Sequence, residues 1–298
     1  MGIYYDVNHR ENVVLALGFF DGVHIAHQKL IKKAVRIAKE NNIQSALITF
    51  LDSPSSIVSN SPALYITPLK EKILIINGLG IDDIYILDFK KYQNIEAKTY
   101  VEETLIRNFS PKFVVTGFNH RFGINGKGGA QLLSSYGSKF QYIEINPVKS
   151  ENTLVSSTNI KNAVQKGEIE FANKMLNRNF SISGTVIKGQ GIAGSLGYKT
   201  ANIIWDKAIV KPKYGVYFGF AEFERKKYPS IINFGIRPSI DKNLTETLEV
   251  HLKNFEGNLY GKTIKVEFVS HLRDEIKFSS IDELKKQIDK DYNSLFNA

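Results

Sequence analysis

The hydrophobic pattern changes period once along the chain, near Asn177, and that change decides the architecture. Before it, strand-like and helix-like segments alternate. Val13–Phe19 is a short apolar run suited to a strand buried on both faces, and Gln28–Asn41 carries Leu30, Ile31, Ala34, Val35, Ile37 and Ala38 as one helical stripe. Ser45–Phe50, Asp83–Phe89, Lys112–Thr116 and Lys139–Ile145 read as further strands, with helices over Leu69–Asn77 and Lys98–Phe109 between them. Strands joined by helices of this length require crossovers, hence a parallel sheet. Ser157–Leu176 reads as one or two helices broken at Gly167. After Asn177 come six short runs rich in β-branched and aromatic residues: Ser181–Lys188, Ala201–Trp205, Gly215–Phe223, Pro229–Phe234, Thr245–Leu252 and Thr263–Ser270. No helical pattern separates them, so a small barrel is expected, closed by an amphipathic helix over Ile281–Phe296. The length of 298 residues suits two domains, with the division expected near residue 180, giving 1–180 and 181–298.

Several function classes fall away on composition. There is no Cys, which removes disulfides, thiolate zinc sites and Cys nucleophiles. No apolar run reaches the length of a membrane span, and MGIYYDVNHRENVV lacks the basic-then-apolar pattern of a signal segment. A cytoplasmic protein, monomeric or weakly oligomeric, is the expectation. The net charge is +9, of which +5 falls on residues 1–180 and +4 on 181–298. Nucleic-acid binders concentrate such an excess. Spread this evenly, it indicates a solvated surface that attracts small anionic substrates, and nucleic acid is not the expected partner.

The densest chemistry lies in Gly18–His27, GFFDGVHIAH, which leaves the first strand and opens the first helix. In an open α/β sheet ligands bind at the carboxyl ends of strands, and free N–H groups at a helix start favour anions. Gly18 and Gly22 allow close backbone approach to a phosphate. His24 and His27 can present two imidazoles to a transferring phosphoryl group. The same residues also make a capped turn with two surface histidines, the reading that local sequence favours when the strand before it is left out. Thr116–Gly123, TGFNHRFG, leaves the fourth strand on the same rim and offers the Asn119 amide and the Arg121 fork. Ser156–Lys161, SSTNIK, brings three hydroxyls (Ser156, Ser157, Thr158) and the Lys161 cation to a helix start, where capping explains part of the pattern and triphosphate binding the rest.

Two patterns lead nowhere. His24 and His27 are three apart with no Glu between them, unlike the i, i+4 zinc pair of metalloproteases. Gly189–Gly194, GQGIAG, matches a dinucleotide fingerprint by letter, but loop and strand follow it where a helix is required. No Walker-type phosphate loop occurs.

Taken in order, these segments resemble the bacterial bifunctional riboflavin kinase/FMN adenylyltransferase (FAD synthetase) family. GFFDGVHIAH is similar to its G-x-F-D-G-V-H-x-G-H motif, TGFNHRFG to its second motif and SSTNIK to S-S-T-x-x-R. LGYKTAN is similar to L-G-F-P-T-A-N, NFGIRPS to N-x-G-x-R-P-T, LEVHL carries the acidic position, and LYGKTIKVEFVSHLRDEIKF matches the C-terminal signature. The resemblance implies a Rossmann-like nucleotidyltransferase domain with a parallel sheet, followed by a six-stranded riboflavin-kinase-like barrel with a terminal helix. It implies transfer of AMP from ATP to FMN, giving FAD and pyrophosphate with Mg²⁺. His24 and His27 would contact the ATP phosphates, and Asn119 would lie near both nucleotide and flavin. Gly18, Phe19, Asp21, Gly22, Arg121, Ser156, Ser157, Thr158 and Lys161 would complete the ATP site. In the barrel, Thr200 and Asn202 would hold Mg²⁺–ATP, Thr200 as a metal ligand, and Glu249 would act as base on the riboflavin 5′-hydroxyl.

The departures fall unevenly. In the first half the family Gly between the histidines is Ala26 and the terminal Arg is Lys161, so the reacting groups remain. In the second half the family Gly-Arg is Ala193-Gly194 and the Pro of L-G-F-P-T-A-N is Lys199. The expectation is therefore an FAD synthetase whose kinase activity is weakened or lost. The alternatives are a fully bifunctional enzyme, or a flavin- or RNA-binding regulator without turnover.

Overall fold

A computed structural model describes residues 2–7, 9–59, 62, 64–188, 200–238, 244–276 and 280–296. The chain forms two compact units, Met1–Asn159 and Ile160–Ala298, so the helical segment after Asn159 goes with the second unit, earlier than the expected division near residue 180.

The first unit is built on six parallel strands: β1 (Gly2–Tyr4), β2 (Val13–Leu17), β3 (Gln44–Phe50), β4 (Asp83–Leu87), β5 (Phe113–Gly117) and β6 (Gln141–Ile145). Their order is β1-β4-β3-β2-β5-β6, so the winding reverses between β2 and β5. Every residue of β2 is buried, and its side chains alternate between two cores. Val14 and Ala16 join Ile31, Ala34 and Ala38 of helix α1 (Ile25–Glu40) on one face. Val13, Leu15 and Leu17 join Val101, Leu105 and Phe109 on the other. A strand covered on both sides needs this uninterrupted apolar run. On α1, Ile31 is fully buried, and Ile31→Ala would cost about 2–5 kcal/mol. Asn41 ends that helix, its side-chain amide donating to the Ile37 carbonyl at 2.8 Å.

Helices α2 (Pro54–Ser59) and α3 (Leu69–Asn77) follow β3. The stretch expected as one helix over Lys98–Phe109 begins at Ala97 and is π-wound through Tyr100–Ile106. Strand β1 is absent from the sequence reading because three residues on the sheet edge are too few to show a period. A short hairpin, β7 (Lys149–Ser150) with β8 (Thr153–Leu154), precedes the helix Ser157–Lys166.

That helix, whose residues from Ile160 belong to the second unit, is followed by Ile169–Leu176, and Gly167 between them has φ +82°, the left-handed break its position required. Six antiparallel strands then close a barrel in the order β10-β13-β12-β11-β14-β9. They are β9 (Phe180–Ile187), β10 (Thr200–Trp205), β11 (Gly215–Phe223), β12 (Lys226–Pro238), β13 (Leu244–Leu252) and β14 (Thr263–Arg273). Alternate residues fill the interior, among them Ile182, Ile203, Trp205, Tyr217, Phe234, Val250 and Phe268. Gly219 lets β11 approach β14, since a Cβ there would collide with the Glu267 carbonyl. The helix Ile281–Phe296 is tied to the barrel by Arg273, which donates to Asp291 at 2.7 Å.

Candidate active site

The reversal point of the first sheet opens into a cleft of about 830 Å³. It is lined from the end of β2 by Gly18, Phe19, His24 and His27, from the end of β5 by Asn119 and Arg121, and from the start of the helix Ser157–Lys166 by Ser156, Ser157 and Thr158. The three segments singled out in the sequence therefore meet at one place.

The turn after β2 is unusual backbone. Phe20 (φ 59°), Gly22 (φ +76°) and Val23 (φ 39°) all lie in the left-handed region, a strain that non-glycine residues sustain only where surroundings enforce it. Here the surroundings do. The buried Asp21 carboxylate accepts from the backbone N–H groups of Ile66 (2.9 Å) and Thr67 (3.4 Å). Ser157 donates its hydroxyl to the Asp21 carbonyl at 3.0 Å, joining the first motif to the third. A Cβ on Gly22 would press on Ile66 at 2.9 Å. Asp21 and Gly22 thus shape the turn from beneath and do not line the cleft.

His24 caps α1, its Nδ1 accepting from the His27 N–H at 3.4 Å. The two rings stack at 3.6 Å and 16°. Burial holds His27 well below the ordinary imidazole range, and the neighbouring His24 ring and the Lys72 charge press the same way. Its buried Nδ1 has no hydrogen-bond partner among the described residues. His27, held neutral and stacked on His24, keeps a ring nitrogen whose hydrogen-bonding capacity is unused.

Ser156 accepts from the Asn159 N–H at 3.2 Å, so its hydroxyl is engaged as a helix cap. Asn119 is exposed. Arg121 lies against Gly129 and donates to the His120 carbonyl at 3.3 Å. Lys161 falls past the division, in the second unit.

Two features escaped sequence reasoning. An aromatic wall runs along the cleft: Phe50 meets Phe89 at 5.2 Å, Tyr100 meets Phe122 at 5.3 Å, and Phe122 stacks on His120 at 5.7 Å. His120 is driven down to about 4 by burial and then by Arg121, so it is neutral at physiological pH. Lys72 is buried beneath the turn, and nothing in a run of helix-forming residues marks it as different from the exposed Lys70.

The barrel assembles its candidate residues by strand register. Asn202 of β10 faces Glu249 of β13, which faces Asn233 of β12, and Thr200 faces His251 one step along. Ala201, Ile203, Leu248 and Val250 between them are buried inside, so this row lies on the outer face, half-buried. Asn233 was visible only as part of a motif. The GQGIAG segment and the departures at Ala193, Gly194 and Lys199 lie outside the described residues.

Residues 6–159 match the FAD synthetase family model and residues 176–297 the riboflavin kinase model. The chain is 39% identical over 288 residues to the bifunctional riboflavin kinase/FMN adenylyltransferase of Buchnera aphidicola subsp. Schizaphis graminum, covering 94% of this chain and 92% of that protein. It is 33% identical to the Bacillus subtilis protein of the same name, covering 93% and 90%. A crystal structure described as a macrolide-efflux protein from Streptococcus pneumoniae superposes with a TM-score of 0.89 at 29% identity, covering 98% of this chain and 96% of that one. Among the described residues no helix is long and apolar enough to cross a membrane. Two family models in series, matched across both units, make the conclusion direct: this chain is an enzyme of the bifunctional riboflavin kinase/FMN adenylyltransferase family.

Proposed function

We propose that the cleft of the first unit transfers AMP from ATP to FMN. An oxygen of the FMN phosphate attacks the α-phosphorus, the bond from that phosphorus to the bridging oxygen breaks, and pyrophosphate leaves, giving FAD. The observation that carries this reading is the meeting of the stacked His24–His27 pair with Asn119 and the Ser156–Thr158 helix start in one cleft. The imidazoles are placed to donate to charge that grows on the phosphates, and positioning accounts for most of such catalysis. The aromatic wall supplies a stacking surface for the flavin ring.

In the barrel the proposed reaction is phosphorylation of riboflavin. Glu249 takes the proton of the 5′-hydroxyl as that oxygen attacks the γ-phosphorus of ATP, and ADP leaves. Among the described residues no group of three His, Asp or Glu could hold a metal alone. The Thr200 hydroxyl and Asn202 amide are hard oxygen donors that fit a Mg²⁺ ion arriving with nucleotide phosphates. Such an ion supplies neutralisation of phosphate charge.

The intact row of Asn202, Glu249 and Asn233 supports a working kinase and hence a fully bifunctional enzyme. The weakened-kinase reading rests on Ala193, Gly194 and Lys199 alone. The two separate in one assay: purified protein with ATP and Mg²⁺ receives riboflavin or FMN, and the flavins are resolved by chromatography. FAD from FMN supports the first reaction, and rapid FMN from riboflavin supports the second and retires the weakened-kinase reading. Salt-sensitive RNA binding without FAD formation would support the regulator instead. We assign ATP, FMN and riboflavin as the small-molecule partners, with a cytoplasmic location.

A further inference from the structure

The buried cation beneath the cleft lies outside the roles assigned above. Lys72, on α3, is 3% exposed and is the only Lys or Arg buried among the described residues. Its ammonium has three N–H donors, and three acceptors surround it: the Phe19 carbonyl at 3.0 Å, the Thr49 hydroxyl at 3.0 Å and the Phe50 carbonyl at 3.4 Å. Thr49 in turn donates to the Phe19 carbonyl at 2.8 Å. The ammonium also lies 4.4 Å from the centroid of the Phe19 ring. These contacts join the carboxyl ends of β2 and β3 immediately before the left-handed turn that carries the histidines.

We propose that Lys72 is a positioning residue for adenylyl transfer, its ammonium clamping the Phe19 and Phe50 carbonyls so that the turn delivers His24 and His27 to the nucleotide. This inference rests on the adenylyltransferase reading of the cleft. A neutral side chain of similar volume would fill the space and lose the clamp. The charge matters too. The groups acting on Lys72 are the Asp21 carboxylate on the turn and, on α1, the His27 ring, which Lys72 helps to hold neutral. Strand β3 contributes only the neutral Thr49 hydroxyl and Phe50 carbonyl. On α3 itself, Lys70 is exposed and Glu71 half-buried. Burial brings Lys72 down to about 8, with Asp21 opposing, so the clamp weakens as pH rises through that value.

The experiment measures FAD formation from FMN and ATP–Mg²⁺ by the full chain between pH 6.5 and 9.5, in wild type, Lys72→Met and Thr49→Val. Wild type comes first: if it forms no FAD, the adenylyltransferase reading fails and the clamp is rejected with it. Given wild-type FAD formation, Lys72→Met should lower kcat about 10- to 100-fold. It should also remove the alkaline fall and raise the titration midpoint of His27 read by NMR. A merely structural lysine would leave the alkaline limb of the activity profile in place. Thr49→Val keeps the ammonium but removes one acceptor, so its alkaline fall should begin at lower pH than in wild type. It decides the matter if Lys72→Met does not fold. Wild-type activity flat to pH 9.5, an unmoved limb in Thr49→Val, or a folded Lys72→Met with unchanged kcat would each overturn the proposal.

Discussion

The two units reach a candidate nucleotide site by opposite routes. In the first, the residues come from loops at strand ends: one strained turn after β2, one loop after β5 and one helix start. Their alignment depends on side-chain anchors such as Asp21, Ser157 and Lys72. In the barrel, Asn202, Glu249 and Asn233 are aligned by the backbone ladder itself. The first design can be loosened by changing a residue that touches no ligand. The second is exposed mainly at the row residues themselves.

This contrast can be broken at several points. The largest effect is expected for Glu249→Gln, which should lower conversion of riboflavin to FMN by about 10²–10⁴-fold while leaving FMN to FAD intact. Loss of both activities would contradict the independence of the two sites. His24→Ala should do the reverse, lowering FAD formation about 10²–10³-fold with phosphorylation preserved, read in the same chromatographic assay. Gly22→Ala tests the strained turn. With φ +76° and Ile66 close by, it should cost about 1–3 kcal/mol in urea denaturation, whereas a substitution in the barrel row should cost less. Ser157→Ala removes the bond to the Asp21 carbonyl, worth about 1 kcal/mol, and should raise KM for ATP about fivefold without changing the kinase.

The smallest effect concerns acid. His27 and His120 titrate lower in the folded chain than in the unfolded one. As pH falls below about 6.5, the unfolded chain binds protons that the folded one does not, so stability is lost from that point downward. In the barrel, Glu246 and Glu267 have lowered values, set against burial by Lys211 and Lys227, and their contribution persists until pH falls below about 4.5. Between these limits, amide-exchange protection should fall in the first unit. Meanwhile the fluorescence of Trp205, the only tryptophan and buried in the barrel, should hold steady.

The fold was largely legible because both cores are written as periods. Leu69–Asn77, Gly215–Phe223 and Ile281–Phe296 have the bounds that periodicity indicates, and the β2 run reads correctly as a strand covered on two sides. Legibility failed where order depends on partners distant in sequence. Strand β1 exists only because Gly2–Tyr4 pairs with Asp83–Tyr85. The site shows the same division. His24, His27, Asn119 and the serine segment stood out because the polar residues that line the cleft interrupt local patterns. The resemblance put Asp21 and Ser157 in the ATP site, and sequence did not show that Asp21 also holds the backbone of Ile66 and Thr67 or that Ser157, which lines the cleft, also bonds the Asp21 carbonyl. Lys72 was invisible because its partners are the carbonyls of residues on other elements.

The ladder that aligns the barrel row also limits how this half of the molecule can change. Inserting or deleting one residue within β13 would turn Glu249 into the packed interior and push a Leu or Val into water, since neighbours along a strand face opposite ways. Exchange of one amino acid for another leaves that geometry alone. Length variation in such a domain is therefore confined to its loops, and the strands drift only by replacement.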